Sequence, residues 1–342
     1  MMSNWLQLTK EQRLDTIYEV SRQSSGILPI QAIEKDWWVT LALKAVFQTP
    51  YAKHLLFKGG TSLSKSWNLI ERFSEDIDLA IDRDILGYTG NPTNSQIKKL
   101  KKKACEFISN ELRDAIEAQL LQSGIPATAF RLTAAEVIDT DKDPQQLILA
   151  YDSLLDPVDY IKSEIQIEIS GRSLKEPWSN RLVQSFIDTG YSGQPFTGEP
   201  FEVPTVEPRR TFLEKAFLLH EEFSKPTEKI RSGRMSRHLY DLDVLMDTEH
   251  GTGALADPEL YYSIIEHRAV FNRLPGIDYN THSPASIYFI PPPSVIADWE
   301  ADYKTMRETM FYGETKSFAD LIIRLQVLLE RFRAITPRAE KF

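Results

Sequence analysis

The run FKGGTSLSKSWNLIERFSEDIDLAI, residues 57–81, divides into a Gly-Gly turn, a short amphipathic helix, a second turn and a strand. In the strand, Asp76 and Asp78 alternate with Ile77, Leu79 and Ile81. Successive strand side chains face opposite ways, so the apolar residues point to a core and the two carboxylates share the other face. Adjacent carboxylates repel each other unless a cation neutralises them. Hard oxygen ligands of this kind suit Mg²⁺ (or Mn²⁺), which takes one or two carboxylates together with phosphate oxygens of a substrate. The turn upstream supplies a phosphate side. Gly59 and Gly60 let backbone N–H groups approach an anion, Thr61 and Ser62 add hydroxyls, and the following helix points its positive end the same way. The plainer alternative is a hairpin rim carrying two solvated aspartates.

The order Gly-Gly-Thr-Ser, short helix, Asp-x-Asp strand resembles the nucleotidyltransferase superfamily that includes DNA polymerase beta. More narrowly, FKGGTSLSK followed by RFSEDIDL resembles the AbiEii/AbiGii toxin family, to which the mycobacterial MenT toxins are related. The resemblance implies an α+β fold: a polymerase beta-like nucleotidyltransferase domain with a mixed sheet, plus a C-terminal helical domain. It implies metal-dependent transfer of NMP from an NTP to an acceptor hydroxyl. A tRNA 3′ end is one such acceptor, and the biology implied is a toxin–antitoxin or phage-defence system, with a cognate antitoxin as partner.

At 342 residues the chain is long enough for two domains and substantial cores. With 42% hydrophobic and 26% charged residues it is ordinary globular protein, not a disordered chain. Its single cysteine, Cys105, excludes an internal disulfide or a multi-cysteine zinc site. The opening MMSNWLQLTKEQR has no basic-then-apolar leader and no run reaches membrane-spanning length, which predicts a soluble cytoplasmic protein with no membrane partner. The formal charge of -9 does not exclude RNA as a partner, because a local basic patch can bind phosphates on an acidic protein.

In chain order, Leu14, Ile17 and Val20 predict an amphipathic helix over 9–24 that starts at Thr9. A second helix over 31–47 is dense in apolar residues. Its Trp37 and Trp38 could stack on a base, but paired tryptophans in such a helix belong to a core. Residues 54–57 form a buried strand entering the turn. Residues 87–94 read as a loop and 95–122 as one long helix. Its first turns carry Lys98, Lys99, Lys101, Lys102 and Lys103, candidates for gathering RNA phosphates, or else a solvated helix face. Cations near a helix N-terminus oppose the macrodipole, which favours a functional reason for them. Strands follow over 130–138, 146–151 and, most clearly, 160–170, where four isoleucines alternate with Glu164, Gln166, Glu168 and Ser170. Residues 171–208, rich in Pro, Gly and Ser, read as excursion and linker. Helices are predicted over 208–223, 236–247, 257–274, 295–311 and 317–334. The division is 1–205, the nucleotidyltransferase domain with its N-terminal helices, and 206–342, a helical domain contributing to the active-site cleft.

The superfamily places a third carboxylate on a strand beside the Asp-x-Asp strand. Glu168 resembles it, with Glu164 as the alternative. TFLEKAFLLHE and RMSRHLYDLDVL extend the resemblance over roughly residues 30–250, and by matching motif position Lys215 and Asp241 complete the implied site. A lysine there would neutralise nucleotide phosphates, with Asp241 holding it or a basic neighbour. Arg237 and Asp241, four apart on one helical face, also fit a surface ion pair. His238 reads as structural or supporting. Of the cations around the turn, Lys58, Lys65 and Arg72, Lys65 is the best placed for a direct nucleotide contact. The reading is therefore a nucleotidyltransferase with Asp76, Asp78 and Glu168 on the metal, and the turn and Lys215 on the triphosphate. Its rivals are a non-catalytic nucleotide- or RNA-binding module, and an enzyme of the same fold that modifies a small molecule or a protein.

Overall fold

The computed structural model describes residues 2–24, 28–88, 93–135, 144–156, 161–171, 177–271, 274–336 and 338. The chain folds as two compact units. One comprises Met1–Trp67 and Phe73–Val206, the other Asn68–Arg72 and Glu207–Phe342. Among the described residues, no helix is long and apolar enough to cross a membrane.

The first unit is built on a mixed seven-stranded sheet. Its strands are β1 (Leu55–Lys58), β2 (Ile77–Ile81), β3 (Phe130–Ala134), β4 (Gln145–Tyr151), β5 (Glu164–Ser170), β6 (Trp178–Val183) and β7 (Phe201–Val206), in the spatial order β3-β4-β5-β2-β1-β7-β6. β2 runs parallel to β5 and β1 parallel to β7; the other neighbours are antiparallel. The alternation in β2 and β5 does what the sequence predicts. Ile77, Leu79, Ile165, Ile167 and Ile169 are completely buried on one face, while Asp78, Glu164 and Glu168 are half-buried on the other.

Helix α1 (Lys10–Gln23) starts at Thr9 with a capping box: Thr9 Oγ accepts from the Gln12 N–H, and the Gln12 side chain accepts from the Thr9 N–H. Helix α2 (Ile30–Phe47) is buried along nearly its whole length. Trp37 and Trp38 lie in the core: Trp37 packs on Trp5 at 4.7 Å and Trp38 stacks on Tyr151 at 5.0 Å. Helix α3 (Gly59–Lys65) follows β1 directly. The predicted long helix over 95–122 is present as α4 (Asn94–Phe107) and α5 (Arg113–Gln122), joined by a π-helical turn at Ile108–Leu112.

The predicted linker over 171–208 needs correction. It supplies β6, the short helix α6 (Phe186–Gly190) and β7, so two of the seven strands come from it. Gly193, Pro195, Gly198 and Pro200 lie between α6 and β7, but Ser179, Gly190 and Pro204 lie within the elements, and composition alone does not separate such a run from a linker. Residues 89–92 of the predicted loop, and those predicted at 136–138, 160 and 272–273, lie outside the described residues.

The second unit is helical: α7 (Pro208–Phe223), α8 (Arg237–Leu245), α9 (Glu249–Leu255), α10 (Pro258–Phe271), α11 (Ile296–Thr309) and α12 (Phe318–Arg333). Pro208 occupies the first turn of α7, where the missing N–H costs nothing. The unit closes around aromatic residues: Phe212, Phe289 and Tyr261 all meet Phe332. The segment Asn68–Arg72 belongs to this unit although it lies between α3 and β2 in sequence, and Arg72 forms a β-bridge with Phe311.

Candidate active site

The carboxylate row comes directly from sheet register. Asp78 on β2 is opposite Glu168 on β5, Lys58 on β1 is opposite Asp78, and Gln146 on β4 is opposite Glu168. Opposed residues on neighbouring strands share a face. Lys58, Asp78, Glu168 and Gln146 therefore form one polar row across four strands, over a completely buried apolar layer that includes Phe57, Leu79, Ile167 and Leu147. The Gln146 amide donates to Glu168 Oε1 at 2.7 Å, which orients that carboxylate. Asp76 lies one residue ahead of β2 and is half-buried. Glu164, the alternative to Glu168, is on the same face but opposite Ala150, four residue pairs along the strand.

The turn packs onto this row. Gly59 has φ +79°, and a Cβ built on it would stand 1.9 Å from Asp78 Oδ2. Only glycine meets both conditions, a left-handed backbone and a carboxylate in van der Waals contact with its Cα. The two hydroxyls assigned to phosphate are buried and hydrogen-bonded to other groups of the protein. Thr61 Oγ1 donates to the Asp76 carbonyl and lies 2.8 Å from the Ser74 hydroxyl, and Ser62 Oγ donates to the Gly59 carbonyl at 2.9 Å. Thr61 thus ties the start of α3 to the entry of β2.

Lys65 is also engaged. Its ammonium pairs with Asp36 Oδ1 at 2.5 Å and donates to the Gln184 carbonyl, where the sequence predicts a direct nucleotide contact. Beside it on α2, Lys35 pairs with Glu75, which immediately precedes Asp76. The sequence pattern points to neither pair directly. The available signal is the triplet Glu34-Lys35-Asp36 within an otherwise apolar helix, since charges in such a place are paired.

The helical unit holds Lys215 and Asp241 together. Lys215 Nζ is 2.7 Å from Asp241 Oδ2. Arg72 makes a two-pronged contact with the same carboxylate, Nε to Oδ1 and an Nη to Oδ2, both at 2.7 Å. All three side chains are buried. Asp241 is thus no surface residue but the centre of a buried cluster with Arg72, whose fork geometry suits a carboxylate. Burial alone would raise the Asp241 pKa, but Arg72 and Lys215 hold it far below the usual carboxylate range. Burial lowers the Lys215 pKa, with Asp241 opposing and Arg72 adding to the shift. His238 Nδ1 lies 3.5 Å from Lys215 Nζ, and burial together with that ammonium pushes its pKa well down, so its ring is neutral near pH 7. Tyr240 contributes no charge here: its hydroxyl accepts from the Glu71 N–H, and burial raises its pKa to about 12.

Lys98, Lys99, Lys102 and Lys103 are exposed on α4 and Lys101 is half-buried. Lys103 donates to the Leu86 carbonyl and lies over the Tyr88 ring.

Residues 41–334 match the family model described as nucleotidyl transferase AbiEii toxin, type IV toxin–antitoxin system. The chain belongs to the AbiEii nucleotidyltransferase toxin family. It is accordingly a nucleotidyltransferase, and its setting is a toxin system. Among solved structures it is similar to MenT4, a nucleotidyltransferase toxin from Mycobacterium tuberculosis H37Rv, at 19% identity over 96% of this chain and 99% of that one, with a TM-score of 0.46. It is also similar to JHP933 from Helicobacter pylori, at 15% identity over 90% and 93% of the two chains, with a TM-score of 0.45. No protein among the curated ones matches it.

A divalent cation is the group this family implies. The row fits one in chemistry: Asp78 and Glu168 are hard oxygen donors side by side, with Asp76 two residues from Asp78. Among the described residues, no three His, Cys, Asp or Glu side chains already converge as a metal cluster. A site made from one or two carboxylates, completed by substrate phosphate oxygens and water, is the arrangement that Mg²⁺ prefers.

Proposed function

We propose that this AbiEii-family enzyme transfers NMP from an NTP to a hydroxyl of RNA, such as a tRNA 3′ end, in a reaction that depends on Mg²⁺ or Mn²⁺. The observation that carries the reading is the Asp78–Glu168 register with Gly59 seated against Asp78. It joins an anion-binding backbone to a pair of carboxylates on one rigid sheet face. Asp76, Asp78 and Glu168 would hold the cation. When bound, it would favour ionisation of the attacking hydroxyl and offset charge on the leaving pyrophosphate.

The chain's own residues do the rest. The Gly59–Gly60 backbone receives phosphate oxygens, and Gln146 keeps Glu168 in one orientation. The acceptor oxygen attacks the α-phosphorus, the bond from that phosphorus to the bridging oxygen breaks, and pyrophosphate leaves. Such transfer needs mainly positioning and charge stabilisation from the protein. Lys215 serves the same reaction as a cation whose charge and place are set by Asp241. The lysines of α4 supply a phosphate-binding face for the RNA, and family membership supports a cognate antitoxin as partner. With an NTP and RNA as substrates, the reaction belongs to the cytoplasm.

The test is incubation with each labelled NTP, Mg²⁺ and total RNA, followed by separation of RNA from protein. Label should enter RNA, vanish with EDTA, and be absent from the Asp76→Ala and Asp78→Ala variants while both remain folded. Label in protein or in a small molecule would overturn the RNA acceptor. Near-normal turnover by either variant would overturn the metal assignment.

A further inference from the structure

Three consecutive charged residues of α2, Glu34, Lys35 and Asp36, are each no more than 3% exposed. Successive helical positions differ by about 100° in direction, so the three reach different parts of the structure. Glu34 receives the Ser153 hydroxyl and the Leu154 N–H. The other two reach the two halves of the candidate site. Lys35 Nζ pairs with Glu75 Oε2 at 2.5 Å, and Glu75 is the residue before Asp76. Asp36 binds Lys65, the last residue of the helix that begins at Gly59, and accepts the Phe186 N–H at 2.8 Å.

Burying such pairs is a weak source of stability. Apolar residues of similar volume often serve as well or better, because desolvation offsets the attraction. Geometry is what these pairs do supply. Both are anchored on adjacent residues of one rigid helix, so the distance between the turn helix and the start of the carboxylate strand is set by α2. Lys35 also matches the charge of Glu75.

We propose that Lys35 and Asp36 are positioning residues of the site. Through Glu75 and Lys65 they hold the Asp76–Asp78 segment and the Gly59 turn at the spacing that a metal–phosphate unit requires. The proposal rests on the nucleotidyltransferase reading for its consequence, but its test reads metal binding separately from turnover.

Mn²⁺ binding to the full chain is followed by electron paramagnetic resonance, alongside melting temperature and NMP transfer. Lys35→Met/Glu75→Met replaces the pair with apolar groups of similar volume. It should stay folded and bind Mn²⁺ about tenfold more weakly, the usual effect of losing a residue that orients a ligand. Lys35→Arg alone, which keeps the charge opposite Glu75, should retain most of the affinity. Should the double variant not fold, Lys35→Arg/Glu75→Asp keeps the pair but displaces the carboxylate by one methylene, and weakened Mn²⁺ binding in that folded protein carries the same meaning. Wild-type Mn²⁺ affinity in a folded double variant, or in the Arg/Asp variant if that is the one used, overturns the proposal. If Mn²⁺ affinity depends on this pair yet the wild type transfers no nucleotide, the functional reading falls and the brace stands. If the wild type transfers nucleotide and the variants bind and transfer like it, the brace alone falls.

Discussion

Gly59 and Asp78 are in contact: the Asp78 carboxylate occupies the space that a side chain at position 59 would need, 1.9 Å from an ideal Cβ. The turn and the carboxylate strand are thus one interlocked unit.

Gly59→Ala tests that interlock. The substitution puts a Cβ into a left-handed backbone, at a cost of about 1–2 kcal/mol, and drives it against Asp78. Displacing a reacting group by about an ångström commonly costs 10²-fold in rate, and a reduction of about that size in NMP transfer is expected. Thermal unfolding should show a folded protein with a lowered melting temperature. Wild-type transfer by Gly59→Ala would mean that the Asp78 position is not critical.

The Arg72–Asp241–Lys215 cluster predicts an asymmetry. Asp241→Ala leaves two buried cations without their carboxylate and should destabilise by about 3–5 kcal/mol. Lys215→Met leaves Arg72 still paired with Asp241, so the fold should survive while transfer falls. Denaturant titration and transfer assays on both variants check this; a Lys215→Met protein with undiminished transfer would confine Lys215 to a structural role. The pH dependence has a definite sign. Because Asp241 has a lowered pKa in the folded state, its contribution is present above its ordinary value of 3.8 and is lost as pH falls below it. Asp241→Asn should remove that acid limb.

His220 predicts a second pH effect at milder acidity. Its Nδ1 accepts from the Tyr288 N–H and its Nε2 is 2.9 Å from Thr281 Oγ1. Burial, reinforced by His282, lowers its pKa from 6.5 to about 4. The unfolded chain therefore binds the extra proton first, and stability should decline as pH falls from 6.5 to about 4, by roughly 3 kcal/mol in total. Urea unfolding at steps of pH should show this slope in the wild type and a flatter one in His220→Gln.

The lysines of α4 separate acceptor from chemistry. Charge reversal at Lys98 and Lys102, both exposed, should weaken RNA modification and flatten its salt dependence, by about one log–log unit for each phosphate that is no longer neutralised. NTP binding, measured by calorimetry, should not change. RNA modification that survives the reversal would show a face that is merely solvated.

The sequence alone determined the local chemistry. Alternation put Asp78 and Glu168 on the polar faces of their strands, because strand side chains have a period of two whatever surrounds them. The helix start at Thr9 and the left-handed backbone at Gly59 are equally local, set by capping geometry and backbone sterics. Tertiary structure decided the partnerships. Which residue faces Asp78 depends on strand order and register between segments 90 residues apart, and no local period encodes either. Residues 171–208 look like a linker because short strands between turns bury too little to leave a pattern. Lys65 looks the best placed of the cations around the turn to meet phosphate, yet it is committed to a buried carboxylate, Asp36, as Arg72 is to Asp241. A charge can be read from the chain, but its counter-charge is chosen by desolvation, which only the packed core imposes.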